Sequence, residues 1–179
     1  PIVVLSNNDG CIIARSNEAK KLGIPMGAPY HQIKYLLKKN KVSVFSSNYQ
    51  LYGDISRRVM SSLSMFVPEM EVYSIDEAFL RLDKHYGKDP YSLASDIQLK
   101  VLKWTGIPTS HGIAPTKTLA KVANKIAKRS NGKNIFDLTN LDTQTKILER
   151  LPIEDIWGIS SGWSKKLHNI GIKNALQLR

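Results

Sequence analysis

The chain has 179 residues, of which 42% are apolar and 23% are charged, a balance that is ordinary for a globular protein with a sizeable core. Its 26 lysines and arginines against 15 acidic residues leave a net charge of +11, which favours a polyanionic partner such as nucleic acid. The single cysteine, Cys11, excludes an internal disulfide and fits a reducing compartment. No apolar run approaches the length of a membrane span, so no membrane partner is expected.

Short apolar runs and helix signals alternate in the first 47 residues. The Asp9-Gly10 pair between two apolar runs predicts a β-hairpin. Ser16 is a candidate N-cap of a short helix, and Gly23 stands where that helix would end. A second short helix at residues 31–38 and a strand at residues 42–45 complete a small predicted α/β domain.

From Leu51 to Phe66 the apolar residues follow the period of a helix. The elements expected next are strands at 71–75 and 78–82, a helix from Pro90, a strand at 107–114 and a helix from Pro115-Thr116 to Arg129. This α-β-β-α-β-α order lacks only the leading strand of a βαββαβ, ferredoxin-like unit. Because the chain begins at Pro1 within a strand-like run, we expect that strand to lie upstream of it.

Two adjacent carboxylates, Asp76 and Glu77, separate the predicted strands of residues 71–82. Neighbouring side chains point to opposite faces within a strand, whereas at a hairpin tip both can reach one site. Flanked by apolar residues, the two carboxylates would repel each other unless cations compensate them. Oxygen ligands of this kind suit Mg²⁺. A solvated turn is the alternative, and the pair alone does not decide between them.

The predicted helix after Pro115 carries a ladder of lysines. Lys117, Lys121 and Lys125 repeat at four-residue intervals, and the ladder continues to Lys128, Arg129 and Lys133. No acidic residue occurs from Lys117 to Lys133. Like charges at this spacing destabilise a helix by roughly 0.2–0.5 kcal/mol per pair. Lysines left uncompensated within their helix therefore favour a polyanionic partner, with a solvated helix face as the alternative.

Several segments along the chain resemble those of Y-family, lesion-bypass DNA polymerases of the bacterial UmuC branch. Residues 72–79 (VYSIDEAF) are similar to the palm motif of that family. Collinear matches are residues 3–11 (VVLSNNDGC) and 14–20 (ARSNEAK) in the fingers, 47–54 (SNYQLYGD) and 114–121 (APTKTLAK) in the palm, and 157–159 (WGI) and 164–167 (SKKL) in the thumb. The resemblance covers essentially the whole chain.

The resemblance implies an α+β fold: small α/β fingers at 1–47, a ferredoxin-like palm without its first strand at 48–136, and a partial helical thumb at 137–179, with no little finger. It makes Asp76 and Glu77 catalytic and two of the three carboxylates that bind two Mg²⁺ ions. The third belongs to the expected upstream strand, so the chain alone is expected to be inactive.

The resemblance also implies roles for several basic residues and two glycines in binding the nucleotide and DNA. Arg15, Lys20 and one of Lys125 or Lys128 are expected to contact the nucleotide triphosphate; local spacing does not decide between the last two. Gly158 and Gly171 are expected to form turns of helix-hairpin-helix units that present backbone N–H groups to DNA phosphates. The full set of residues expected to contact DNA is Lys117, Lys121, Gly158, Gly171, Lys165 and Lys166.

The function that follows is error-prone synthesis on damaged templates in the bacterial damage (SOS) response, in the cytoplasm. The expected partners are primed template DNA, deoxynucleotides, a UmuD-type accessory protein and a RecA filament. The alternative is a non-catalytic DNA-binding or scaffold relative. Retention of both Asp76 and Glu77 favours the enzyme.

Overall fold

A computed structural model describes residues 1–82, 89–129 and 134–179. The described chain divides into two compact units, Pro1–Asp54 and Ile55–Arg179. None of the described helices is long and apolar enough to cross a membrane. Lys133, the last residue of the predicted lysine run, lies outside the described residues.

The first unit is a three-stranded sheet with two helices. β1 (Ile2–Leu5) pairs antiparallel with β2 (Ile12–Arg15) and parallel with β3 (Ser43–Ser46). The helices are α1 (Asn17–Lys21) and α2 (Tyr30–Lys39). The predicted hairpin and both predicted helices are therefore confirmed.

Local signals explain the ends of α1. The Oγ of Ser16 accepts a hydrogen bond from the Ala19 amide at 3.3 Å, which satisfies one of the free amides at the helix start. Gly23 follows the helix with φ +73°, a left-handed conformation that glycine adopts without strain. Ile12, Ile24 and their neighbours form the core of this unit.

A longer series of elements continues from the first unit into the second. In chain order they are α3 (Tyr49–Ser64), β4 (Met70–Val72), β5 (Ala78–Leu80), α4 (Pro90–Thr105), β6 (His111–Ile113), α5 (Lys117–Ala127), β7 (Ile135–Asp137), α6 (Leu141–Arg150), α7 (Ser161–Asn169) and α8 (Ala175–Leu178). The predicted α-β-β-α-β-α order from α3 to α5 and the α+β class are confirmed.

Strand pairing produces two small sheets among the described residues of the second unit. β4 and β5 form an antiparallel hairpin, and β6 pairs in parallel with β7. The sequence prediction missed β7, because its apolar run is only Ile135-Phe136, too short to show a period of two. Ile135 is nevertheless 6% exposed, and Leu138, directly after the strand, is fully buried, so tertiary burial stabilises this strand.

The largest core of the second unit lies where α3 and α4 pack together. Leu63, Ile97 and Val101 are buried there, and Phe66 stacks on Trp104 with ring centroids 5.9 Å apart. The predicted stripe of α3 is correct in its second half, but Leu51 at its start is 54% exposed.

A glycine fixes the position of α5. A Cβ on Gly112 of β6 would lie 2.2 Å from the Asn124 nitrogen and 2.3 Å from the Ala120 oxygen, both backbone atoms of α5. Only a residue without a side chain allows this close approach of strand and helix. Gly112 therefore holds α5, with its lysines, against the sheet.

Candidate active site at the tip of the β4–β5 hairpin

Asp76 and Glu77 lie in the turn between β4 and β5, as predicted. The amides of Tyr73 and Ser74 both donate to the Glu77 carbonyl oxygen, at 3.0 and 3.1 Å. The Ser74 hydroxyl donates to Asp76 Oδ1 at 2.8 Å. The Asp76 side chain remains exposed and Glu77 is half-buried, so the two carboxylates lie at one end of the hairpin with different exposure to solvent.

The partner of Glu77 is Lys121, one of the lysines of α5. Lys121 Nζ lies 2.7 Å from both Oε1 and Oε2 of Glu77. The same ammonium lies 5.4 Å from the ring centroid of Tyr73 and 5.9 Å from that of Trp157, where aromatic faces attract cations. Glu77 and Lys121 therefore form a partly buried pair bounded by aromatic rings.

No acidic residue lies within α5, as the sequence shows, and three of its lysines find counter-charges on other elements. Lys117 pairs with Glu71 of β4. Lys125 Nζ lies 2.6 Å from Asp155 Oδ1, in the 3₁₀ turn Ile153–Asp155. Three of the ladder lysines thus carry a carboxylate partner, and the ladder by itself is weaker evidence for a polyanionic partner than the sequence suggests.

Lys128 differs from the other ladder lysines. It caps the C-terminal end of α5 and its side chain is exposed. It forms no ion pair with any residue that the structure describes. Lys128 is therefore the ladder lysine whose ammonium is most available to a ligand.

An aromatic cluster joins the hairpin to the segment before α7. Tyr73, Phe79 and Trp157 pack mutually with ring centroids 5.3–5.9 Å apart. Trp157 Nε1 donates to the Tyr73 hydroxyl at 3.2 Å, across 84 residues of sequence. No local pattern in the sequence predicts that these three rings meet. Tyr73 and Phe79 flank the acidic pair within residues 72–79, but Trp157 is far from them in sequence.

A cleft of about 260 Å³ opens beside this cluster. It brings together four of the predicted site residues, Glu77, Lys121, Lys125 and Lys128, beside Asn124. The Oδ1 atom of Asn124 is buried without a hydrogen-bond partner.

The two cations predicted near the nucleotide, Arg15 and Lys20, lie in the first unit. Arg15 Nη1 donates to the Ile24 carbonyl oxygen at 2.5 Å, so part of the guanidinium is engaged within that unit. Lys20 is in the last turn of α1, exposed, with Nζ 3.5 Å from Asn17 Oδ1. The Lys20 ammonium is accordingly the more accessible of the two.

The predicted DNA-contacting residues of the C-terminal region lie around α7, and none of them lines the cleft. Gly158 and Gly171 have φ of +92° and +87°, values that fit tight turns and strain any residue with a Cβ. Lys165 and Lys166 are exposed on α7. Lys166 Nζ lies 4.9 Å from the ring centroid of Trp163, which is 57% exposed and does not pack in the core.

The donor set at the hairpin tip fits a hard divalent cation. Asp76 and Glu77 offer only oxygen atoms, the ligands that Mg²⁺ prefers, and Mg²⁺ commonly binds through one or two carboxylates together with waters. The Glu77 carboxylate already pairs with a positively charged group, the ammonium of Lys121. Among the described residues no group of three His, Cys, Asp or Glu side chains converges.

Comparison with known proteins decides the family. Residues 1–125 match the impB/mucB/samB family. The chain belongs to that family. It is 49% identical to Protein UmuC and 43% identical to Protein ImpB, both of Salmonella typhimurium, over 99% of this chain and 43% of each relative. It is also 30% identical to DNA polymerase IV of Oceanobacillus iheyensis, over 97% of this chain and 41% of that protein.

Solved structures agree with this assignment. DinB from Sulfolobus solfataricus aligns with a TM-score of 0.77 and 30% identity over 97% of this chain and 51% of that chain. The insertion ternary complex of Dbh DNA polymerase aligns with a TM-score of 0.79 and 27% identity, with the same coverage of 97% and 51%. The resemblance to the UmuC branch and to the Y-family fold is confirmed. The chain spans less than half the length of the curated relatives it matches.

Proposed function

We propose that this chain supplies the fingers (1–47), palm (48–136) and first part of the thumb (137–179) of an error-prone, DNA-directed DNA polymerase that extends primers past damaged template bases. The observation that carries the proposal is the acidic turn of Asp76 and Glu77, which lies beside a cleft lined by lysines of α5. The relatives UmuC and DNA polymerase IV support the reaction class.

Asp76 and Glu77 are the residues that would hold Mg²⁺. When two such ions are bound, they stabilise the attacking and leaving oxygens of a phosphoryl transfer. The contribution of the chain is to keep both carboxylates at one hairpin tip, through the paired amides of Tyr73 and Ser74. The Ser74 hydroxyl orients Asp76 by its hydrogen bond to Oδ1.

For the triphosphate, we assign Lys128 ahead of Lys125. Both line the cleft, but Lys125 is paired with Asp155 at 2.6 Å, and a paired ammonium must first lose its carboxylate before it contacts a phosphate. Lys20 is assigned ahead of Arg15 for the same reason, because Arg15 already donates to the Ile24 carbonyl.

DNA phosphates are assigned to two groups of residues. Lys165 and Lys166 are exposed on α7. Gly158 and Gly171 are assigned with them through the family resemblance, and Gly171 is the weaker because its amide already donates to the His168 carbonyl oxygen. Lys117 and Lys121 on α5 belong to the second group, and their pairing with Glu71 and Glu77 makes them weaker candidates. A UmuD-type accessory protein, a RecA filament and a cytoplasmic location rest on the family resemblance.

The test is Mg²⁺-dependent primer extension by the natural protein that contains this chain, compared with its Asp76→Asn variant. We expect extension to fall about a hundredfold or more, because charge stabilisation by a bound metal is worth several kcal/mol and each 1.36 kcal/mol is tenfold in rate. Asp142→Asn is the matched control, since Asp142 is an exposed acid in the first turn of α6; it should extend like the parent.

Two results would contradict the proposal. Undiminished extension by Asp76→Asn would show that the hairpin tip is not the metal site. Binding of primed DNA without extension by the parent, even with accessory proteins supplied, would favour the non-catalytic scaffold.

A further inference from the structure

We propose that Lys121 is a resident counter-ion of Glu77, which a divalent cation must displace, so that Lys121 sets the metal affinity of the acidic turn. This inference rests on the proposed role of Asp76 and Glu77 in metal binding. It makes Lys121 a positioning residue that acts through Glu77, in addition to its expected place in a DNA-contacting lysine ladder.

The contact between the two side chains uses the whole carboxylate. Lys121 Nζ lies 2.7 Å from each oxygen of Glu77, which leaves neither oxygen without a cation. The side chains are only 23% and 28% exposed, so solvent screens this pair less than a surface ion pair. A metal that binds Glu77 therefore has to compete with an ammonium that is already in place.

Aromatic rings hold the ammonium at this position. Tyr73 and Trp157 each lie within 5.9 Å of Lys121 Nζ, and the hydrogen bond between them fixes the two rings relative to each other. Cation–π contacts of this geometry are worth more when the cation is partly desolvated. Lys121 is thus bound from two sides, by a carboxylate and by two ring faces.

The other lysine pairs of α5 do not have this arrangement. Lys117 contacts a single oxygen of Glu71, with both side chains more than half exposed. Lys117 also lies over one ring, that of Phe79, at 5.4 Å. Lys117 therefore matches Lys121 in charge, helix and type of neighbour while pairing with a carboxylate outside the acidic turn, which makes it a suitable control.

The experiment measures Mn²⁺ binding to the natural protein that contains this chain, by the loss of the free Mn²⁺ signal in electron paramagnetic resonance. Mn²⁺ shares the oxygen-ligand preference of Mg²⁺. We expect Lys121→Met to bind Mn²⁺ about tenfold more tightly than the parent, because a unit charge a few ångströms from a divalent ion costs about that much even in water. Lys121→Arg, which keeps the charge, should bind like the parent. Lys117→Met should change affinity by less than about threefold, since its charge lies off the acidic turn.

The outcomes separate the inference from the proposed function. If Lys121→Met binds no more tightly, or Lys117→Met gains as much, the counter-ion role is refuted and only net charge matters. If Asp76→Asn and Glu77→Gln leave Mn²⁺ binding unchanged in the parent, the metal site itself is refuted. Lys121→Gln provides a second neutral variant should Lys121→Met misfold by circular dichroism; failure of a folded Lys121→Gln to gain affinity equally refutes the inference.

Discussion

Replacement of Gly112 by alanine tests the packing that places α5 beside the acidic turn. The added Cβ would lie 2.2 Å from the Asn124 nitrogen, 2.3 Å from the Ala120 oxygen and 2.8 Å from the Ala123 carbonyl carbon. All three are backbone atoms, so no side-chain rotation can relieve the contact. The helix or the strand has to move.

The expected cost follows from this geometry. Overpacking a core usually costs about 1–3 kcal/mol, and three backbone contacts place Gly112→Ala at the upper end, about 3 kcal/mol. A typical domain has only about 5–15 kcal/mol of stability. A displaced α5 should also separate Lys121 from Glu77, which are 44 residues apart in sequence and meet only through this packing.

Urea unfolding followed by tryptophan fluorescence is a suitable assay. All three tryptophans, Trp104, Trp157 and Trp163, lie in the second unit, so the signal reports the unit that contains the substitution. Gly162→Ala is the matched control, because its Cβ would meet nothing closer than the Ser160 hydroxyl at 3.9 Å and alanine stabilises a helix by roughly 0.5–1 kcal/mol relative to glycine. A Gly112→Ala protein within about 1 kcal/mol of the parent would refute the reasoning.

Two further predictions concern stability. Burial lowers the pKa of His111 from 6.5 to about 4. Between these two pH values the imidazole is therefore protonated in the unfolded chain and neutral in the folded chain. The stability should therefore decrease as the pH falls through 6.5 towards 4, by about 2 kcal/mol between pH 7 and pH 5. His111→Gln should lack this loss in parallel urea titrations, and equal losses in both proteins would contradict the assignment. Gln144 is 1% exposed and donates from Nε2 to the Leu138 carbonyl oxygen at 2.9 Å. Gln144→Met should therefore cost about 1–3 kcal/mol in the free energy of unfolding, whereas Lys146→Met on the exposed face of α6 should change it by less than about 0.5 kcal/mol; equal effects would show that the hydrogen bond contributes nothing.

Several features of the site could be predicted from the sequence because they depend on neighbours within a few residues. The turn that holds Asp76 and Glu77 follows from two short strands that pair around it. The start of α5, expected at Pro115-Thr116, also follows from local residues, and in the structure the Thr116 hydroxyl accepts from the Leu119 amide. The family motif around residues 72–79 is likewise continuous in sequence.

The counter-charges of the lysine ladder could not be predicted in this way. Lys117 and Lys121 find their carboxylates 46 and 44 residues away, and Trp157 meets Tyr73 across 84 residues. Periodicity along one helix reports which residues share a face but carries no information about what packs against that face. For that reason the sequence shows only that the ladder has no carboxylate within its own helix.

The order of the elements from β1 to α5, the cap of α1, the acidic turn and the family follow from the sequence. Which lysines are paired, the accessibility of Lys128 and the existence of β7 depend on tertiary contacts. These features differ in the range of the interactions behind them: turns and caps are hydrogen bonds within one or two helical turns of chain, whereas ion pairs and aromatic contacts between distant segments depend on how the core and Gly112 bring those segments together.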